Sequence, residues 1–179
     1  GSTTAITESG GTVTFVGVGD AAISVDYLVQ AGGGGGGGMS SGKIYGGGGG
    51  AGGLRSSVAP SVAAKFVTDV PAMCVLGKAY TITVGAGGAT RNQGSNSVFL
   101  VTSVGGGLGA STSSSVSDTL NTDGGSGGGG GAYRFKTGTH VRPDPFKGPG
   151  RGIGGQGYDG GMGEHGNAAC GGGGGAGGA

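Results

Sequence analysis

A chain of 179 residues with a formal charge of +1, 34% apolar residues and 6% aromatics lacks the side chains for a conventional core along its whole length. It also lacks the charge for an electrostatic grip on nucleic acid or anionic lipid. Glycine fills 54 positions, but the G-X-Y frame is missing and only five prolines are present, which excludes collagen.

The first expected strand is residues 12–16, where Thr12, Val13, Phe15 and Val16 are β-branched or aromatic. Residues 17–20 turn the chain into a second strand, 23–29, which runs straight into the glycine block 32–38. Loop 39–45, with Met39, Lys43, Ile44 and Tyr45, leads to the block 46–53, broken only by Ala51. Residues 62–70, bracketed by Pro60 and Pro71, read as a short helix or an irregular strand. Residues 79–84 form a third strand, turned by 85–89, and residues 97–104 a fourth that enters glycine at Gly105. Loop 110–123 is rich in Ser and Thr and ends in Leu120, Asn121, Thr122 and Asp123. Block 124–131, loop 132–147, the interrupted block 148–163, loop 164–170 and block 171–178 complete the chain.

Blocks 31–38, 46–53, 124–131 and 171–178 each span eight residues, as expected of rods packed side by side and not of linkers. Eight residues of polyproline II helix reach roughly 25 Å. Within the last long block Gly154, Gly157, Gly160, Gly163 and Gly166 recur every third residue. Ile153, Gln156, Asp159, Met162 and His165 fill a second register, and Tyr158 and Glu164 share the third with glycine. Three is the period of polyproline II, so one face would be bare backbone against a neighbour and one would carry side chains into solvent. Bare rods approach closely enough to hydrogen-bond to one another, which any β-carbon on the contact face would prevent. Ordering a residue costs about 1–2 kcal/mol of backbone entropy, and a net hydrogen bond returns about 0.5–1.5 kcal/mol. Several rods must therefore form together, with a β body to set their register.

The expected fold class is mainly β plus polyproline-II-type: a small β body with a bundle of packed polyglycine II helices and little or no α-helix. The β body takes residues 3–30 and 54–104, and the rods with their loops take 31–53 and 105–179, as one compact unit. If each rod reverses the last, loops 39–45, 110–123 and 164–170 share the distal end. If residues 85–88 count as a rod, the parity flips and 132–147 joins 39–45. The residues leave both open.

Two nucleotide-binding patterns fail. Residues 17–22 mimic a dinucleotide-binding turn, but a strand follows where the fingerprint needs a helix. Gly37 to Gly42 and Lys43 have phosphate-loop spacing, but Ile44 stands where Ser or Thr must reach the metal. No nucleophile–base pair or carboxylate pair stands out, so no enzyme, cofactor or metal is expected. His140 and His165 read as surface polar residues. Cys74 and Cys170 fit no metal or redox spacing and pair only if the fold brings them together. No stretch is long and apolar enough to span a membrane, and none has the form of a signal peptide.

The side chains that remain for binding lie in the loops. Loop 132–147 carries Tyr133, Arg134, Phe135, Lys136, His140, Arg142, Phe146 and Lys147, and aromatic residues with Arg are the make-up of binding hot spots. The competing reading packs Phe135 and Phe146 onto the bundle. Met39, Lys43, Ile44 and Tyr45 form the second candidate surface, and Leu120 and Asn121 a third.

The ordered set of the stretch 9–15, the stretch 25–31, glycine blocks 32–38 and 46–53 with Leu54 and Arg55, the stretch Tyr80-Thr81-Ile82-Thr83-Val84-Gly85-Ala86-Gly87-Gly88-Ala89, the stretch 94–99 and the terminal block 171–178 resembles the glycine-rich domains of bacteriophage tail fibres and tail-tip adhesins. The resemblance covers most of the chain. It implies a virion protein that attaches to a bacterial surface glycan or outer-membrane protein through loops between polyglycine II rods, joined to the rest of the tail fibre. It admits a homotrimer as well as a monomeric tip, and the charge of +1 and the lack of a spanning stretch lead to the expectation of no nucleic acid partner and no membrane insertion. The β strands at the start depart from the T-even-like adhesins, and similar plans occur in some bacterial surface proteins and receptor ectodomains. The alternative is a structural spacer or an ice-binding polyglycine II protein, and a disordered linker conflicts with the equal block lengths.

Overall fold

The computed structural model describes residues 10–15, 21–38, 44–58, 69–111, 121–133, 149–164 and 169–176. In chain order the strands are β1 (Gly10–Thr14), β2 (Ala22–Val25), β3 (Leu28–Gln30), β4 (Ile44–Tyr45), β5 (Leu54–Ser56), β6 (Ala72–Val75), β7 (Ala79–Thr83), β8 (Ser97–Phe99), β9 (Val101–Ser103) and β10 (Ala132–Tyr133). They form one four-stranded sheet, β1-β7-β8-β9, and three pairs, β2–β6, β3–β5 and β4–β10, all antiparallel. No α-helix forms among the described residues, so none there is long and apolar enough to cross a membrane. The segment 62–68, left between helix and strand by the sequence, lies outside the described residues.

Two expected strands are broken, each for a local reason. Residues 23–29 divide at Asp26 and Tyr27, sending β2 and β3 to different partners. There the Ser57 hydroxyl accepts from Tyr27 N and donates to Asp26 Oδ1, both at 2.9 Å, so a side chain takes the place of a ladder partner. Residues 97–104 fold back at Leu100, whose φ is 53°, so that Ser97 faces Ser103 and Phe99 faces Val101. A left-handed leucine costs about 1–2 kcal/mol. The reversal offsets that by burying Phe99 and by bringing the Ser103 hydroxyl to the Val29 carbonyl at 2.7 Å.

These turns build a small aromatic core. Tyr27, Val29, Cys74, Tyr80 and Phe99 are buried, with Phe15, Ile23, Val25, Ile82 and Val101 packed against them. Phe99 meets Tyr27 and Tyr80 edge-on, with centroids 6.1 and 6.4 Å away. Each such pair adds about 0.5–1.5 kcal/mol beyond area burial. The Tyr80 hydroxyl accepts from Val75 N at 2.7 Å, so the ring's polar tip is satisfied. At the rim Arg55 grips Asp69 through two bonds of 2.7 and 2.8 Å. That grip holds the Asp69 carboxyl below the usual carboxylate range, against the opposing effect of its burial and with help from the Tyr27 hydroxyl. Cys74 is buried and Cys170 exposed, and the two are unpaired.

The glycine segments start and end on this body and lie along one another. Segments 31–38, 85–89, 104–110, 126–131 and 157–163 run away from it, and 46–53, 92–96 and 171–175 run back. Their bonds recur every third residue. Gly47, Gly50 and Gly53 donate to Ala110, Gly107 and Val104, and their carbonyls accept from Gly37, Gly34 and Ala31. One register on, Gly48 and Ala51 donate to Gly171 and Gly174. One segment thus serves several neighbours by turns. The eight-residue block 124–131 is not a single rod. The chain descends through residues 122–125, where Gly125 N meets Gly105 O, and turns back so that Gly107 N meets Ser126 O and Ala110 N meets Gly129 O.

The close approach explains the glycine purity. A Cβ on Gly35 would fall on the Ala89 carbonyl, one on Gly107 on the Thr122 carbonyl, and one on Gly128 on the Leu108 carbonyl. The expected bare face is present at Gly157, Gly160 and Gly163, which press on Gly125, Gly128 and Gly131. Asp159 and Met162 point to solvent, and Tyr158 and Gly161 donate to Gly175 and Gly172. Gly154 leaves the pattern because residues 153–157 form a turn, with Gly155 at a φ of 81°. Its half-buried Gln156 caps the body end: Oε1 accepts from Val104 N at 2.9 Å and the backbone carbonyl from Leu54 N.

Candidate functional site

The outgoing segments finish together, away from the body. A chain of bonds crosses this end: Gly37 N to Gly47 O, Gly47 N to Ala110 O, Ala110 N to Gly129 O, Gly171 N to Gly130 O and Gly130 N to Gly161 O. The loop bases are tied to one another here. β4 pairs with β10, setting Tyr45 opposite Ala132 and Ile44 opposite Tyr133. Gly38 N donates to the Ser111 hydroxyl at 2.9 Å, Glu164 bridges Ala169, and Arg91 lies against Gly38 with Cδ 2.8 Å from where a Cβ would stand.

This settles the question of direction. The short reversal at 122–125 makes both 104–110 and 126–131 outgoing, so the segments leading into loops 39–45, 110–123, 132–147 and 164–170 all reach one end. Neither simple alternation of rods produces that arrangement. Of the candidate binding residues, Ile44, Tyr45 and Tyr133 sit in the β4–β10 pair, and Tyr45 is half-buried. Met39, Lys43, Leu120, Arg134, Phe135, His140, Arg142 and Phe146 lie outside the described residues.

Asn121 is elsewhere. It sits on the flank of the bundle, with Nδ2 3.4 Å from Gln93 Oε1. Gln93 Nε2 donates to Asp123 O at 2.6 Å, and Asp123 Oδ1 accepts from Arg151 N at 2.7 Å. Gly152 N donates to Asp159 Oδ1 at 2.7 Å. Asp123 is offered by the sequence only as the end of loop 110–123, and Gln93 and Arg151 are not offered as receptor-binding residues, because the three come from segments joined only by the fold. The one signal available was the interruption of glycine by polar residues on both sides of the blocks.

Residues 16–20 lie outside the described residues, and β2 at Ala22–Val25 is a strand where the dinucleotide-binding fingerprint would need a helix. Comparison with curated proteins and with solved structures gives no match. A family profile described as a glycine-rich domain matches residues 7–179, nearly the whole chain, and the protein belongs to that glycine-rich domain family.

Proposed function

We propose that this protein is a receptor-binding module of a bacteriophage tail fibre, which attaches the virion to a bacterial surface glycan or outer-membrane protein through the loops at one end of a polyglycine II bundle. The observation that carries the reading is the convergence of the loop bases, with β4 paired to β10 and Gly38 bonded to Ser111 at the end remote from the β body. A scaffold that brings separate loops to one end suits recognition by loops on a rigid frame. The period-three exchange of backbone bonds supports polyglycine II conformation for the segments, since that helix has three residues per turn and no internal bonds. A circular dichroism spectrum without a polyproline II signature would count against that part.

The test of function is binding of the fluorescently tagged chain to a panel of bacterial strains, with exchange of loops 39–45, 110–123 and 132–147. Strain-selective binding that moves with a loop is expected. Absence of binding to every strain refutes the reading.

A second reading, an ice-binding or spacer protein, is favoured by one observation. Gly36, Ala51, Ala86, Gly87, Gly172 and Gly175 are exposed on neighbouring segments, an array of small residues. Thermal hysteresis in the absence of bacterial binding would select it.

A further inference from the structure

We propose that the flank formed by Gln93, Asn121, Asp123 and Arg151 is a subsite for a neutral, hydroxyl-rich sugar, distinct from the loop end. The inference rests on the receptor-binding reading and names a ligand class for a second part of the surface.

These side chains are held in place by one another and by backbone. Gln93 is fixed at both ends of its amide, by Asp123 O at 2.6 Å and Asn121 Nδ2 at 3.4 Å. Asp123 is oriented by Arg151 N, which occupies Oδ1 and leaves Oδ2 without a hydrogen bond to any described residue. The amide, carboxylate and guanidinium groups therefore start from a partly ordered arrangement, and less side-chain entropy is lost on binding.

Their remaining capacity suits a polyol. Asn121 keeps its carbonyl and one N–H, Gln93 a second N–H, Asp123 its outer oxygen, and the exposed Arg151 guanidinium has no hydrogen bond to any described residue. Neighbouring hydroxyls on a sugar ring each donate and accept, so they match a surface that offers both. An anion is disfavoured. Asp123 and Asp159 set two carboxylates on either side of the Arg151–Gly152 backbone, against one guanidinium. The flank is also continuous with two loop bases, because the chain comes back from 112–120 at Asn121 and from 134–148 at Pro149, two residues before Arg151.

The test is an NMR titration of the 15N-labelled full chain with methyl glycosides of glucose, galactose, mannose and N-acetylglucosamine, with inorganic phosphate in parallel. The expected result is saturable shifts of the Gln93 and Asn121 side-chain amides and of Arg151 with at least one glycoside and none with phosphate. Arg151→Ala and Asp123→Asn should each weaken that binding by about tenfold or more. Arg151 is exposed, so dispersed amide signals from the Arg151→Ala protein will show that loss of binding is not loss of fold.

No saturable shift with any glycoside overturns the proposal, as does a response to phosphate alone or binding unchanged in both variants. Shifts confined to Tyr45 and Ala132 overturn it while leaving the loop end as the receptor site. Shifts at the flank without strain-selective attachment in the loop-exchange assay support it and overturn the loop reading.

Discussion

A single methyl group should separate the interior of the bundle from its surface. At Gly107 a Cβ would fall on the Thr122 carbonyl, with Gly128 N 2.9 Å away, in the space of the Gly128 N–Thr122 O bond. Gly107 itself donates to Ser126 O and accepts from Gly50 N. The obstructing atoms are backbone on segments held by their own bonds, so relief means moving a segment. Weakening three buried bonds, at about 1–3 kcal/mol for each group left without a partner, puts Gly107→Ala at about 3–9 kcal/mol of destabilisation, toward the lower end where the segments can shift to keep a bond. At Gly172 a Cβ would meet nothing within 4 Å, and φ is outside the left-handed range. There the substitution lowers only the entropy of the unfolded chain, and Gly172→Ala should stabilise by about 0.4–1 kcal/mol. Urea unfolding of the two variants beside the parent measures both. A Gly107→Ala protein within about 0.5 kcal/mol of the parent, or a Gly172→Ala protein as damaged as Gly107→Ala, refutes close backbone packing as the cause.

Three further outcomes follow from the β body and its flanks. The Asp69 carboxyl has a depressed folded-state pKa, chiefly through its hydrogen bonds with Arg55, so its contribution is present above the ordinary carboxylate range and is lost as pH falls through the depressed value. Asp69→Asn should therefore cost about 1–2 kcal/mol near neutral pH, a figure discounted for the partial exposure of Arg55, and flatten the acid limb of a stability–pH curve. Of the two thiols, Cys170 should react with a thiol reagent in the native protein, and Cys74, whose pKa is pushed up by burial, only on unfolding. Cys170→Ser should abolish the fast phase, and a fast phase that survives contradicts the placement. At Leu100, half-exposed with a φ of 53°, Leu100→Asn should be neutral or mildly stabilising and Leu100→Val destabilising by about 1 kcal/mol or more, as read from thermal midpoints.

Much of the β body is legible in the residues because the physics there is local. The alternating β-branched run at Tyr80-Thr81-Ile82-Thr83 yields β7 almost to the residue. The hairpin at Leu100 is not legible, since a leucine in the left-handed region is a tertiary outcome set by where Phe99 and Ser103 find burial and a carbonyl. The bare face at Gly157, Gly160 and Gly163 could be read from period three, but not that Gly154 belongs to a turn. Direction was beyond reach. The reversal at 122–125 carries a turn signal in Asp123-Gly124, but that signal lies at the edge of a uniform glycine block whose residues do not tell an outgoing segment from a returning one, so the convergence of loops is not legible either. Asn121 is a polar candidate in the sequence, but its neighbours Gln93 and Arg151 are 28 and 30 residues away in the chain, on either side of it.

The way this bundle is held together has a consequence for how its surface can vary. In segments 46–53, 104–110 and 126–131 the contacts are mostly backbone to backbone, and the side-chain bonds to them, from Ser126 to Gly52 O, from Gln30 to Ala51 O, from Val104 N to Gln156 and from Gly105 N to Asn96, lie toward the body end and not at the loops. A helix or sheet core constrains loop residues through packing, since a loop's apolar side chains commonly close one edge of it. Here the inner positions of the bundle are already filled by neighbouring main chain, with residues 105–110 and 124–132 buried. The requirement on a loop therefore reduces to its two bases, such as the Ile44–Tyr133 register and the Gly38–Ser111 bond. Substitutions between those bases should change binding with little change in stability, whereas substitutions of inner glycines should do the reverse. That separation is what a recognition surface needs if it is to diversify without refolding its support.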